Sequence, residues 1–154
     1  MPSQIPVSIV VAWGDMDAFS HVNNAVYLRW FETARIHCFE QLGVLNRMET
    51  ERIGPILART AIDYRRPVTY PDTVRVAVQV PRLGTTSFVL AYRVTSEAQH
   101  DALVAEGETV IVLLNYKTGE RVPLDAALRE ALEKWCSDPT PMPTWQPSPG
   151  SCRH

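Results

Sequence analysis

The apolar positions change period along the chain, and each change marks an element. Residues 5–13 are rich in β-branched side chains and read as a first strand, which Gly14-Asp15-Met16-Asp17 interrupts. From about Asn23 the period lengthens. Tyr27, Phe31, Ala34, Cys38 and Leu42 recur at i, i+4, i+7, i+11 and i+15, with Arg29, Glu32, His37 and Glu40 opposite them. That spacing predicts a long helix, stopped by Gly43 in the position that favours a left-handed residue. Leu28 and Trp30 widen the apolar surface beyond one stripe, so the helix is expected to be embraced on more than one side.

Residues 47–52 read as a polar connector or one short turn. Strand-like stretches follow at about 56–68, 73–81, 87–96 and 103–117. Short connectors such as Tyr70-Pro71-Asp72 and Arg82-Leu83-Gly84-Thr85-Thr86 are expected to make antiparallel hairpins rather than helical crossovers. Asp125 is placed to N-cap a final helix over 126–135, in which Leu128, Leu132 and Trp135 share a face. The order strand, long helix, four strands, short helix predicts an α+β fold: a single domain with a five-stranded antiparallel sheet wrapped around the long helix. Such a sheet has open edges, and pairing with a second copy of the chain covers them, so a homodimer is expected. A monomer in analytical ultracentrifugation would reject it.

Composition adds boundaries. The chain has 154 residues and a formal net charge of −2, which gives no electrostatic footprint for nucleic acid or an anionic membrane. Of the 12 prolines, five fall in the last 18 residues. Residues 1–136 are therefore expected to form the domain and 137–154 an extended proline-rich tail. Three scattered cysteines, Cys38, Cys136 and Cys152, suit a reducing compartment better than a disulfide framework or a zinc knuckle. The N-terminus has no basic and apolar leader, and no apolar run approaches the roughly 20 residues needed to span a bilayer. A soluble cytoplasmic protein is expected.

Polar chemistry is concentrated between the first strand and the long helix, in Asp15-Met16-Asp17-Ala18-Phe19-Ser20-His21-Val22-Asn23-Asn24. A helix N-terminus offers unpaired backbone N–H groups and positive dipole to a developing oxyanion, and a carboxylate just upstream can act as base or nucleophile beside it. The pattern suits acyl transfer. Plain helix capping by Asp or Asn is the competing reading. A calcium loop is not, because Ser20 replaces the turn glycine and Val26 the bidentate glutamate. Asp15, Asp17 and His21 supply three ligand types for a transition metal, but no second histidine cluster completes a site.

The stretch from Trp13 through Tyr27, followed by Trp30-Phe31-Glu32-x-Ala34-Arg35, resembles the signature of the 4-hydroxybenzoyl-CoA thioesterase-type acyl-CoA thioesterases, which are hotdog-fold enzymes. Asp63-Tyr64-Arg65-Arg66-Pro67-Val68, Asp72, residues 84–87 and residues 119–123 match in kind and order, so the resemblance spans roughly 7–133. It implies that Asp17 is the catalytic carboxylate, as nucleophile or general base. The backbone N–H near Asn24 then polarises the thioester carbonyl, with His21 positioning water or Asp17. It implies a CoA ester (or an acyl-carrier-protein thioester) as substrate, no metal or organic cofactor, and a dimer or tetramer with the cleft between subunits. Asp15, Asn23, Tyr27, Arg65 and Ser87 are the residues expected to support or bind the substrate. Arg59, Arg66 and Arg82 are further candidates for its phosphates, and Phe19, Trp30 and Phe31 either line an acyl pocket or belong to the core. Glu32 is expected to pair with Arg29 or Arg35 rather than to act in catalysis. A hotdog hydratase or dehydratase, with His21 as base, and a non-catalytic acyl-CoA-binding protein are the alternatives.

Overall fold

A computed structural model of the chain describes residues 6–136, so the tail expected at 137–154 lies outside the described residues. In chain order the elements are β1 (Val7–Val10), α1 (Asn24–Leu42), α2 (Val44–Glu51), β2 (Ile53–Tyr64), β3 (Thr73–Leu83), β4 (Ser87–Ser96), β5 (Ala102–Asn115) and α3 (Ala126–Cys136). Short 3-10 turns occupy Trp13–Asp15 and Glu97–Gln99.

Helix α1 starts and stops where its sequence says it should. The Asn23 side chain accepts from the Ala25 N–H at 2.9 Å, satisfying one orphan donor of the first turn. Gly43, at φ 71°, closes the last turn by donating to Glu40. Tyr27, Trp30, Phe31, Ala34, Cys38 and Phe39 form the buried face. The opposite flank stays open, with Leu28 45% exposed, so within one chain the sheet embraces the helix less completely than its composition suggests.

The connector expected at 47–52 belongs instead to the eight-residue helix α2. Gly43 serves both helices as an elbow, Val44 is buried, and Leu45 packs on the core. Arg47 pairs with Glu51 one turn on and with Asp125 at 2.9 Å. Val44, Leu45 and Met48 share one face of it, but they straddle the start of the stretch that reads as polar.

The sheet order is β1-β3-β4-β5-β2, all antiparallel. β3–β4 and β4–β5 are the expected hairpins. The Tyr70-Pro71-Asp72 connector is not one: β2 pairs with β5 at one edge and β3 with β1 at the other, so the chain crosses between them. β2 also starts earlier than expected and takes in Pro55, which an edge strand tolerates because its missing N–H faces no partner.

At Gly107 of β5 the sheet leaves no room for a side chain beneath α1. The Phe31 ring stacks on Tyr92 (centroids 4.2 Å apart, planes 7° from parallel) and lies against Gly107; a Cβ there would stand 2.9 Å from the ring and collide with the Ala61 carbonyl oxygen. The buried Tyr92 hydroxyl is satisfied by Thr109 at 2.8 Å and Arg35 at 3.3 Å. Arg35 is thereby turned inward, and Glu32 has no ion pair among the described residues. At the far end, Asp125 Oδ1 accepts from the Leu128 N–H at 2.7 Å, as expected of the α3 cap.

Candidate active site

The polar stretch after β1 folds into a tight loop across the start of α1. Met16 and Val22 face each other in an antiparallel bridge. Asp17 N–H donates to the His21 carbonyl, and Ser20 N–H donates back to the Asp17 carbonyl, both at 3.0 Å. Ser20 takes φ 61°, the left-handed conformation that closes a three-residue hairpin. The Asp17 side chain completes the turn: its Oδ1 accepts from the Phe19 N–H at 2.9 Å, an Asx arrangement that holds the carboxylate half-buried.

Tertiary contacts anchor the loop from below. Val22 N–H donates to Val68 at 2.8 Å and Val11 N–H to the Asp72 carbonyl at 3.0 Å. Asp72 gathers the strand ends there. Its carboxylate accepts from the Thr73 N–H at 2.7 Å, the Ala98 N–H at 2.9 Å and the Ser96 hydroxyl. Asp15 has a similar local role, accepting from the Ala12 N–H at 2.8 Å while its carbonyl receives the Asn23 N–H at 2.9 Å.

The first turn of α1 leaves one donor over. The Ala25 N–H goes to the Asn23 side chain and the Val26 N–H to the Asn23 carbonyl, both at 2.9 Å. The Asn24 N–H has no acceptor among the described residues.

Asp15, Asp17, His21, Asn23 and Asn24 thus lie on one continuous loop and helix start, with Tyr27 one turn further in. The His21 imidazole is exposed and makes no hydrogen bond or ion pair among the described residues. Among them, no three His, Cys, Asp or Glu side chains come together as metal ligands. Tyr27 is 2% exposed, packed against Trp30 and edge-on to Tyr64. Trp30 and Phe31 are buried too and belong to the core, whereas Phe19 projects from the loop tip at 83% exposure.

The other candidates lie elsewhere. Arg65 donates to Glu106 at 2.8 Å and Asp63 at 3.4 Å on the outer face of the sheet. Arg59 and Arg82 flank Glu108 there. Arg66 is exposed and has no ion pair among the described residues. Ser87 opens β4, whereas Ser96 at the other end is the residue that reaches Asp72; nine strand steps, about 30 Å, separate them. One chain therefore does not bring Ser87 to Asp17. A cavity of about 210 Å³ also lies away from Asp17, lined by Leu42, Val44, Ile53, Leu113 and Leu128 beside the Arg47–Asp125 pair.

Tyr64, outside every predicted role, reaches the site: its hydroxyl donates to the Asn24 carbonyl at 3.0 Å. An aromatic at the end of a strand carries no mark that it will reach a helix start.

Burial has a consequence at high pH. It pushes the Tyr27 phenol up from 10.0 to about 12, with the neighbouring Tyr64 adding to the effect, and raises the Cys38 thiol from 9.0 to about 12. Both groups hold their protons more tightly folded than unfolded. Their contribution is complete below pH 9 and declines as pH rises from 9 towards 12. The urea midpoint of unfolding is expected to fall over that window; a flat midpoint between pH 8 and 11 would contradict it.

A carboxylate in an Asx turn, on a loop leading into the amino end of a helix, has the chemistry to attack or activate water beside a carbonyl that the helix N–H groups can polarise. The chain belongs to the thioesterase-like superfamily, which it matches over residues 11–132. It is 31% identical to the long-chain acyl-CoA thioesterase FadM of Escherichia coli over 119 residues, 77% of this chain and 89% of that protein. It is 30% identical to the 1,4-dihydroxy-2-naphthoyl-CoA hydrolase of Synechococcus elongatus over 127 residues, 80% of this chain and 91% of that one. A thioesterase from Thermus thermophilus, solved in complex with coenzyme A and Zn, superposes with a TM-score of 0.74 at 32% identity, covering 88% of this chain and 97% of that chain. The fold expectation and the family resemblance both hold.

Proposed function

We propose that the protein hydrolyses acyl-CoA thioesters to a free carboxylic acid and CoA. The observation that carries this reading is that Asp17, fixed by its own turn, lies on the loop leading into α1, whose first amide, the Asn24 N–H, has no acceptor among the described residues. The amide stabilises negative charge on the thioester oxygen as the carbonyl carbon becomes tetrahedral. Asp17 then acts in one of two ways. As nucleophile, its carboxylate oxygen bonds to that carbon and the C–S bond breaks, giving a mixed anhydride and CoA thiolate, and water hydrolyses the anhydride. As general base, it takes a proton from the water that attacks directly. His21, on the same loop, would position water, and Asp15 and Asn23 hold the loop and the helix start. A hydratase needs a histidine set against a carboxylate, which the unbonded His21 side chain does not supply.

The substrate cleft is proposed to need a second copy. β2 is an open edge with Ile56 and Leu57 exposed, and Ser87 aligns with Ile56 through Val112. Antiparallel pairing of two β2 edges sets the start of one strand beside the end of the other, drawing Ser87 of one copy towards Asp17 of its partner. A dimer is the minimal unit on this reading, and a tetramer two of them. With Arg65 engaged by Glu106, Arg66 is the better placed arginine for the CoA phosphates. A CoA or acyl-carrier-protein ester as substrate and a cytoplasmic setting complete the proposal; no helix among the described residues is long and apolar enough to cross a membrane.

The test is thiol release from a panel of straight-chain and aromatic acyl-CoAs. The relatives' names point to both kinds, so the panel also reads the acyl preference. Release no faster than the uncatalysed rate with every ester would overturn the proposal.

A further inference from the structure

We propose that Tyr64 is a positioning residue that sets the direction of the Asn24 N–H. The inference rests on the thioesterase reading above and adds to it a residue on a different element from the catalytic loop. Tyr64 is the last residue of β2, and its hydroxyl donates to the Asn24 carbonyl at 3.0 Å. That carbonyl and the Ala25 N–H belong to one peptide group. Asn23 Oδ1 holds the N–H end of the group at 2.9 Å, and Tyr64 holds the C=O end. The preceding peptide group carries the free Asn24 N–H, and its own carbonyl is held by the Val26 N–H at 2.9 Å. Three hydrogen bonds therefore fix the two peptide planes that meet at Asn24, and of the polar groups of those two planes the Asn24 N–H alone has no partner among the described residues.

Tyr64 is well suited to that task. Its ring stands edge-on to buried Tyr27, with centroids 5.0 Å apart and planes at 89°, so the side chain is braced although it is 43% exposed. An exposed tyrosine hydroxyl has water as a ready partner; here it is committed to a carbonyl that already lies in the first turn of α1, as a second donor to an oxygen with two lone pairs. The link joins the sheet edge to the helix start, so the two cannot shift independently. A displacement well below 1 Å at an oxyanion donor is enough to weaken charge stabilisation in the transition state.

The test is Tyr64→Phe in the full chain, which keeps the ring and removes the hydroxyl. With the best acyl-CoA of the panel, kcat is expected to fall about 3- to 10-fold with KM changed less than about twofold, because the donor acts mainly on the transition state. In parallel, amide hydrogen exchange is expected to quicken several-fold at Ala25 and Leu28 and to stay unchanged at the middle of α1. An unchanged kcat, or a change confined to KM, overturns the proposal. So does unchanged exchange in the first turn, or an increase spread evenly along α1, which would mark general loosening. The wild-type protein is run alongside. If it releases no CoA, the thioesterase reading has failed, and the exchange measurement alone then decides whether Tyr64 holds the helix start.

Discussion

Asp17→Asn is expected to lower the turnover of an acyl-CoA thioester by at least about 10²- to 10³-fold while leaving the folding midpoint nearly unchanged. The substitution is chosen for what it keeps. The structural duty of Asp17 is to accept the Phe19 N–H through Oδ1 at 2.9 Å, and an asparagine carbonyl oxygen does this equally well. The hairpin closed by the Asp17–His21 and Ser20–Asp17 bonds stays in place. What disappears is the negative charge, and with it both proposed chemical roles, since an amide neither attacks a thioester nor takes a proton from water at neutral pH. Comparing kcat and thermal midpoint for the two proteins separates chemistry from folding. Full activity in the variant would remove Asp17 from the mechanism, and an equal loss of activity and midpoint would make it a structural cap.

The largest effect on stability is expected at Gly107→Ala, about 3 kcal/mol or more, read as a fall of roughly 10 °C in the thermal midpoint. A methyl group at this position would collide with the Ala61 carbonyl oxygen on β2 and stand 2.9 Å from the Phe31 ring. Neither neighbour yields easily. The Ala61 carbonyl belongs to the β2–β5 ladder, and Phe31 is fully buried and stacked on Tyr92. Relief requires α1 to lift from the sheet or β2 to separate from β5. An unchanged midpoint would show that the helix does not sit as closely on β5 as described. The double variant with Phe31→Leu is expected to lose less than the two single losses combined, because both act on one contact.

The helix α1 was legible almost to the residue, because its signals are local: a 3.6-residue apolar period, an asparagine that caps its first turn and a glycine that ends its last. The strands were legible as stretches and α3 by its Asp125 cap, for the same reason. The catalytic candidates were legible as a cluster because Asp15 to Asn24 are consecutive, so any fold that puts a helix after them must gather them.

What escaped depends on distance in sequence. That β2 crosses to pair with β5, that Tyr64 reaches back to Asn24, and that Gly107 leaves room for Phe31 follow from how the sheet curls around α1. Arg59, Arg65 and Arg82 read along the chain as candidates for phosphate, yet the pairing of the sheet sets them against Glu108 and Glu106 of β5. Local preferences decide which segments become helix or strand. Pairing order, close approach and ion partners are decided by which surfaces can be buried against one another, and no short stretch of residues contains that information.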